Sequence, residues 1–600
     1  MKTLICNCNQ TLPLDAAALR NALAKTPGAS TDGLDVTHTL LCRREAVSFQ
    51  RAAKDTTARG DELLVACTQE SRLFLELNQE TEGAASVQER PIHFVNIRET
   101  AGWSQEGRQA TPKIAALLAA AQLPAAEPVG TVSYRSAGRC LVIGSAEAAE
   151  RAAGLLADKL DVSVLLTGTG GALAQSHARA THSGRLTRLR GWLGQFEVEW
   201  ESSNPIDLDL CTRCNACVEI CPEGAIGLDY QVDLNACKKH RDCVRVCDAA
   251  GAIDFNRAPL QHAETYDLVL DLRASPAFSQ HQPPQGYLHT GHDEGAMFDA
   301  VLKLRELVGE FDKPRFFRYD AKICAHSRNE KIGCTACIDV CSASAIRSAA
   351  SRKGKGKGQA AGGVVVDPHL CVGCGACSTV CPSGAMSFAY PGTVDQGRRL
   401  RTMLTAYGHA AGRNAALLIH SEAAGSSLSR RDRSLHGLPA RVLPVSVWHT
   451  ASVGIDLWLA AIAQGASQVW VMVTAEEAPE YRQALQEQMA VAQAVLTGLG
   501  YAGQHLRLLE VRDARDLHAL DAALRCEPAQ TVARPATFSV QADKRATLEL
   551  AIDHLLTQAP APTEVIALPA TGSPLGTLVV DTAKCTLCLS CVSACPEAAL

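Results

Sequence analysis

Cys371-Val372-Gly373-Cys374-Gly375-Ala376-Cys377-Ser378-Thr379-Val380-Cys381-Pro382 decides how this chain folds. Three cysteines are spaced by two residues, and a fourth follows after three more, directly before proline. Such a string aims several soft thiolates at one compact object, as a cubane of iron and sulfide requires. Paired C-x2-C units also bind zinc, but the unbroken string C-x2-C-x2-C-x3-C-P is far more specific to [4Fe–4S] clusters. The unit recurs as Cys211, Cys214, Cys217 and Cys221; as Cys237, Cys243 and Cys247; as Cys324, Cys334, Cys337 and Cys341; and as Cys585, Cys588, Cys591 and Cys595. An aspartate stands four residues before the first cysteine of each: Asp207, Asp233, Asp320, Asp367 and Asp581. An apolar residue follows each last cysteine: Ile226, Ile253, Ile346, Met386 and Leu600. The repeat predicts a short strand, a cysteine loop, a turn of helix and a second strand, five times over.

The rest of the composition narrows the class. A chain of 600 residues implies several domains. With 47% hydrophobic and 20% charged residues it can bury ordinary cores. A formal net charge of −5 and a pI near 6.4 argue against nucleic acid and anionic membranes as partners. No apolar run is long enough for a membrane span, and the first residues lack the pattern of a signal peptide, so a cytoplasmic protein is expected. In that reducing compartment 25 cysteines point to metal rather than to disulfides.

The cysteine groups resemble those of two-cluster bacterial ferredoxins, where the fourth cysteine of each string ligates the other cluster of its pair. The resemblance implies Cys211, Cys214, Cys217 and Cys247 for cluster one, and Cys221, Cys237, Cys243 and one more ligand for cluster two. It implies Cys324, Cys334, Cys337 and Cys381 for cluster three, and Cys341, Cys371, Cys374 and Cys377 for cluster four. The second unit departs from the pattern, because His240 stands where the second cysteine belongs. Ligation by His240, a three-iron cluster and a different nearby ligand all remain open. The third unit places nine residues between Cys324 and Cys334, and His326 in that loop reads as a surface residue. Arg352 to Gly358 reads as a solvated basic loop, with a docking patch for an acidic partner as the alternative. The fifth unit lacks a crossover partner and reads as the first half of a truncated module.

Cys6, Cys8, Cys42 and Cys67 each follow a strand-like apolar run, where the strand ends of an α/β sheet collect ligands. They are either four unrelated buried thiols or the holders of one more cluster. The Cys6-Asn7-Cys8 start and Val65-Ala66-Cys67-Thr68 resemble the N-terminal region of the heterodisulfide reductase A subunit, which implies the second. Arg139 to Ala149 and Val162 to Thr167 then resemble the first βαβ of a Rossmann unit, where that family binds flavin. Gly144 is present, but Ala146 replaces the glycine that admits a pyrophosphate, and no acidic residue ends the second strand. FAD is therefore not expected. Residues 393–530 resemble the delta subunit of methyl-viologen-reducing hydrogenase through Val442-Leu443-Pro444-Val445, Ile455 to Gly465 and Ala466-Ser467-Gln468-Val469. The cysteines of that family are replaced here, by Val447-Trp448-His449 and by Thr474-Ala475-Glu476-Glu477. A docking or spacer domain is implied, with His449 and Glu477 as surface polar residues.

The expected architecture is multidomain: α/β domains with inserted ferredoxin-like (α+β) two-cluster modules. The segments are 1–130, heterodisulfide-reductase-A-like; 131–200, a degenerate Rossmann-like unit; 201–256, module one; 257–318, an α/β connecting segment; and 319–392, module two. They continue as 393–530, hydrogenase-delta-like; 531–570, a linker; and 571–600, half of a third module. The expected function is electron transfer through several [4Fe–4S] clusters, as a subunit or adaptor between a dehydrogenase and an acceptor. The alternatives are a flavin-dependent oxidoreductase with an internal wire, and a redox sensor or scaffold. Redox proteins are the expected partners, with no nucleic acid and no membrane insertion.

Overall fold

A computed structural model describes residues 1–55, 62–326, 333–349, 363–429, 436–513, 515–576 and 579–594. The architecture is mixed α/β with several separate sheets. The basic stretch from Arg352 to Gly358 lies outside the described residues.

The first sheet is parallel and orders its strands Thr37–His38, Lys2–Cys6, Leu63–Val65 and Ile92–Phe94. Leu63–Val65 is buried along its whole length, as a strand covered by helices on both faces must be. Helices Ala16–Ala24, Ala46–Lys54 and Ser71–Glu80 cover it through Leu19, Leu23, Phe49 and Phe74. The helix Thr111–Ala121 joins this core to the rest of the chain. Its Lys113 is fully buried, and Nζ donates to the carbonyls of Thr100 (3.1 Å) and Leu438 (3.0 Å). Burial is the main cause that lowers its pKa to about 7, against a pull upward from Glu106. Unfolded, the same lysine keeps its proton up to the ordinary value of 10.5. The unfolded state therefore binds more protons between these values, and stability rises with pH from about 7 to 10.5 and is level below. Lys113→Met is expected to flatten that rise, as thermal unfolding at neutral and alkaline pH will show.

The second sheet is also parallel, in the order Tyr287–His289, Leu268–Asp271, Arg139–Gly144, Asp161–Leu166 and Thr181–Ser183. Residues 257–318 are thus more than a connection. They supply two strands of this sheet, the strand Gly309–Pro314 that pairs with Thr131–Ser136, and the helix Glu294–Arg305 to the body begun by residues 131–200, and module one is inserted between. An antiparallel sheet of Arg185–Trp192, Gln195–Ser202 and Leu260–Tyr266 packs Phe196, Val198 and Trp200 against it. Its hairpin turns at Gly194, where φ is 84° and a Cβ would come within 2.0 Å of the Arg135 carbonyl. At Gly144 a Cβ would lie 3.1 Å from that of Leu272, so the end of this strand packs closely against its neighbour.

The third parallel sheet runs Val442–Val447, Ala416–Ser421, Gln468–Val473 and Leu506–Glu510. The helix Ile455–Ala463 is buried on all sides, consistent with a sequence that is apolar but for Asp456 in its first turn. Residues 531–570 differ from the expected linker. They contain the helix Lys544–Thr557, which packs Leu548, Ala551 and Leu555 into the same core as Trp458.

Candidate metal centres

All five cysteine loops begin in the same way. The aspartate four residues before the first cysteine accepts, through Oδ1, the N–H two residues on: Asp207 from Asp209 (3.0 Å), Asp233 from Asn235 (2.9 Å), Asp320 from Lys322 (2.9 Å), Asp367 from His369 (3.0 Å) and Asp581 from Ala583 (3.1 Å). This Asx turn starts the loop. In four units the carbonyl of that aspartate also accepts the N–H of the first cysteine.

In four of the units the loop then turns by two left-handed residues, at the second and fourth positions after the first cysteine. They are Arg213 and Asn215, Lys239 and Arg241, Gly373 and Gly375, and Leu587 and Leu589. Left-handed backbone costs a non-glycine residue on the order of 1–3 kcal/mol, so three of these loops hold a costly shape in return for what they enclose. A helix of four or five residues follows each loop: Ala216–Ile220, Asp242–Val246, Ala336–Asp339, Ala376–Val380 and Ser590–Ala594. Strand pairs close the modules: Phe317–Tyr319 with Met386–Phe388, Ile346–Ser348 with Val364–Val366, and single bridges from Ile206 to Ile253 and from Ile226 to Val232.

These closures bring the last cysteine of one unit beside the thiols of the other. Burial, then the fields of Cys211, Cys247 and Cys214, push the Cys217 thiol up to about 11. Burial raises Cys243, with Cys221 and Cys237 adding to it. Cys337 is raised to about 12 by burial and then by Cys381, Cys334 and Cys324. Cys377 is pushed well up by burial and then by Cys374, Cys371 and Cys341. Three groups of four thiols and one group of three therefore face one another across the pseudo-symmetric modules. A group of buried, mutually repelling thiols keeps its protons when empty, and cubane insertion must displace them.

Among the described residues no three Cys, His, Asp or Glu side chains close on a point that would hold a single ion. A set of four thiolates is the donor set of a cubane, and the cysteine spacing favours that over a mononuclear zinc site. Backbone donors already aim at sulfur: Arg213 N–H at Cys211 (3.4 Å), Ala345 N–H at Cys341 (3.3 Å) and Met386 N–H at Cys381 (3.4 Å). Such bonds tune cluster potentials.

Cys6, Cys8, Cys42 and Cys67 line one cavity at the carboxyl ends of the first sheet's strands. Arg98 donates to the Cys8 sulfur at 3.4 Å, and the Cys8 N–H donates to Cys6 at 3.4 Å. The two cysteines left over lie apart. Cys140 is buried within a strand, and Cys526 accepts from Gln468 Nε2 at 3.5 Å.

The fifth unit differs in being exposed at Cys585, Cys588 and Cys591, while Cys595 lies outside the described residues. The Ser590 side chain and then its N–H hold Cys588 down at about 7. In protein stripped of its clusters, Cys588 is expected to be alkylated first at neutral pH and Cys377 last, as peptide mass spectrometry will report.

Four single residues depart from the sequence reading or refine it. His326 is buried at 2% exposure rather than on the surface. Both of its ring nitrogens are engaged, Nδ1 with the Cys334 carbonyl (3.0 Å) and Nε2 with Ser348 Oγ (2.7 Å), so it links Cys334 to the strand Ile346–Ser348. Glu477, also read as a surface residue, is 1% exposed and accepts from Thr450 Oγ1 (2.7 Å) and the Thr474 N–H (2.6 Å). His449 is half-buried and packs edge-on against Tyr481, and burial lowers its pKa. His240 shares a cavity wall with Cys221, Cys237 and Cys243.

Sequence reasoning missed the contacts made from distant segments. Lys313 Nζ donates to the carbonyls of His369 and Cys371, both at 2.9 Å. Trp192 stacks on His369 at 4.7 Å, which ties the second body to the loop of unit four. Lys544, also buried, donates to the carbonyls of Ser378 (3.0 Å) and Thr379 (2.6 Å) just before Cys381. No residue type or spacing marks these lysines in the sequence.

Family models agree with the modules. The model described as a 4Fe-4S dicluster domain matches residues 332–385, and that of a 4Fe-4S binding domain matches residues 205–227 and 578–600. No curated protein matches the chain. With these matches and the thiol groups together, the chain carries multiple [4Fe–4S] clusters, whose general chemistry is electron transfer.

Proposed function

We propose that this chain is an electron-transfer component of an oxidoreductase system, a subunit or adaptor that carries single electrons between a dehydrogenase and an acceptor. One observation supports the reading: in both modules the last cysteine of one unit lies beside the thiols of its paired unit, as two clusters side by side in each module would require. Cluster one takes Cys211, Cys214, Cys217 and Cys247. Cluster two takes Cys221, Cys237, Cys243 and one more ligand. Cluster three takes Cys324, Cys334, Cys337 and Cys381, and cluster four takes Cys341, Cys371, Cys374 and Cys377. Cys6, Cys8, Cys42 and Cys67 hold a further cluster, and Cys585, Cys588, Cys591 and Cys595 serve the fifth unit. The protein's own part is to bury the clusters, donate hydrogen bonds to sulfur and set their potentials.

The likeness of residues 1–130 and 393–530 to components of larger redox complexes supports an adaptor role with redox-protein partners. A cytoplasmic setting suits the reduced thiols, and among the described residues no helix is long and apolar enough to cross a membrane. Anaerobic titration with dithionite tests the reading. About one electron per cluster, four to six per chain, is expected, with fast reoxidation by a one-electron acceptor. Clusters that take up no electrons contradict it.

A second reading, in which the chain itself transforms a small molecule, draws on a cavity of about 520 Å³ at the carboxyl ends of the third sheet. Tyr390, Arg399 and Trp448 line it, and Trp448 stacks on Phe316 at 5.4 Å. A yellow chromophore that survives cluster removal would favour that reading.

A further inference from the structure

His240 has kept the backbone of a cysteine ligand. It stands three residues after Cys237, between left-handed Lys239 (φ 65°) and Arg241 (φ 67°). Cys214 stands between Arg213 (φ 55°) and Asn215 (φ 66°), and Cys374 between Gly373 (φ 79°) and Gly375 (φ 76°). The position that presents the second thiolate in the other loops therefore presents an imidazole here. Arg241 anchors the loop by placing its guanidinium 3.7 Å over the Phe255 ring. Cys243 follows at the spacing of Cys217, so the loop has lost its second thiolate and nothing else of its frame.

The imidazole has a carboxylate beside it. His240 Nε2 lies 3.9 Å from Glu223 Oε1. Glu223 reaches this place because Cys221-Pro222-Glu223 crosses over from the first unit, carrying its cysteine to the same cavity that His240, Cys237 and Cys243 line. A metal-bound histidine commonly gives its other ring N–H to a carboxylate, which fixes the tautomer and the ring plane. With Nε2 on the side of Glu223, Nδ1 is the nitrogen left for a ligand in the cavity that His240 lines with the three thiols.

We propose that His240 binds one iron of cluster two through Nδ1, and that Glu223 is the positioning residue that holds its Nε2–H, so that cluster two is a cubane with three thiolates and one imidazole. This rests on the reading of the modules as cluster carriers. A neutral imidazole in place of a thiolate removes one negative charge from the centre, and an added electron then meets less repulsion. Lys238, Lys239 and Arg241 around the same loop act in the same direction. Cluster two is the easier of its pair to reduce, and it holds the electron within module one.

The test uses the full chain, prepared without oxygen and labelled with nitrogen-15 histidine, and pulsed EPR of the reduced state. Coupling of one imidazole nitrogen to a cluster spin is expected, and its disappearance in both His240→Cys and His240→Ala. His240→Cys should keep the iron content and lower the potential of one cluster. Glu223→Ala should release iron from cluster two to a chelator about tenfold faster, with near wild-type retention in Glu223→Gln, whose amide oxygen still accepts the N–H. A four-iron cluster two without nitrogen coupling would overturn the proposal, as would an unchanged potential in His240→Cys. Equal iron retention in Glu223→Ala and the wild type would overturn the role of Glu223. Absence of iron and sulfide from both modules would instead sink the cluster-carrier reading itself.

Discussion

Cys341→Ala is expected to empty cluster four and to leave cluster three in place, although Cys341 belongs in sequence to the unit of Cys334 and Cys337. Its sulfur adds to the field at Cys377, Cys374 and Cys371, while Cys381 takes the corresponding place beside Cys337 and Cys334. A cubane left with three thiolates in a buried site has an iron with no partner, and about four irons and four sulfides per chain should be lost. Pairs of substitutions identify the cluster without any spectral assignment. Residues that serve one centre are not additive, and residues that serve separate centres are. Cys341→Ala with Cys374→Ala should lose no more iron than either alone, and Cys341→Ala with Cys334→Ala should lose about twice as much. The reverse pattern would mean that each unit holds its own cluster.

Lys544→Ala should cost on the order of 1–3 kcal/mol for each buried carbonyl that it leaves without its donor, those of Ser378 and Thr379. The lysine and Asp456 are both buried, and the field of Asp456 opposes the burial that lowers the Lys544 pKa. Nζ also satisfies two carbonyls at the end of the helix Ala376–Val380. Cys381 follows that helix directly and belongs to the thiols of cluster three, so the loss should reach the cluster. An early unfolding step on heating, together with faster loss of about four irons, is the expected result. Calorimetry and chelator-release kinetics measure it. Wild-type behaviour in both would show that Lys544 is not part of the support.

What the sequence makes legible is what short-range chemistry dictates. The cysteine spacings, the five aspartates and the turn of helix after each loop are local, because an Asx turn and left-handed backbone act over a few residues. Burial is not local. Nothing around Glu477 marks it as internal, since Thr450 and Thr474, which satisfy it, come together only when two strand ends meet. His326 reads as exposed in a polar loop, yet Ser348 arrives from the following strand to take its Nε2. Residues 257–318 look like a connection because the strand Leu268–Asp271 pairs with Arg139–Gly144, far back in the chain. The helix Lys544–Thr557 is hidden for a related reason: its apolar face, at Leu548, Ala551 and Leu555, finds its partner only in the core of the third sheet.

Iron and acid-labile sulfide per chain, measured on protein purified without oxygen, test the central claim most directly. About sixteen to twenty-four of each, from four to six cubanes, is the predicted result. About four of each, or zinc in stoichiometric amount, would contradict it and leave the cysteine units a structural rather than an electron-carrying role.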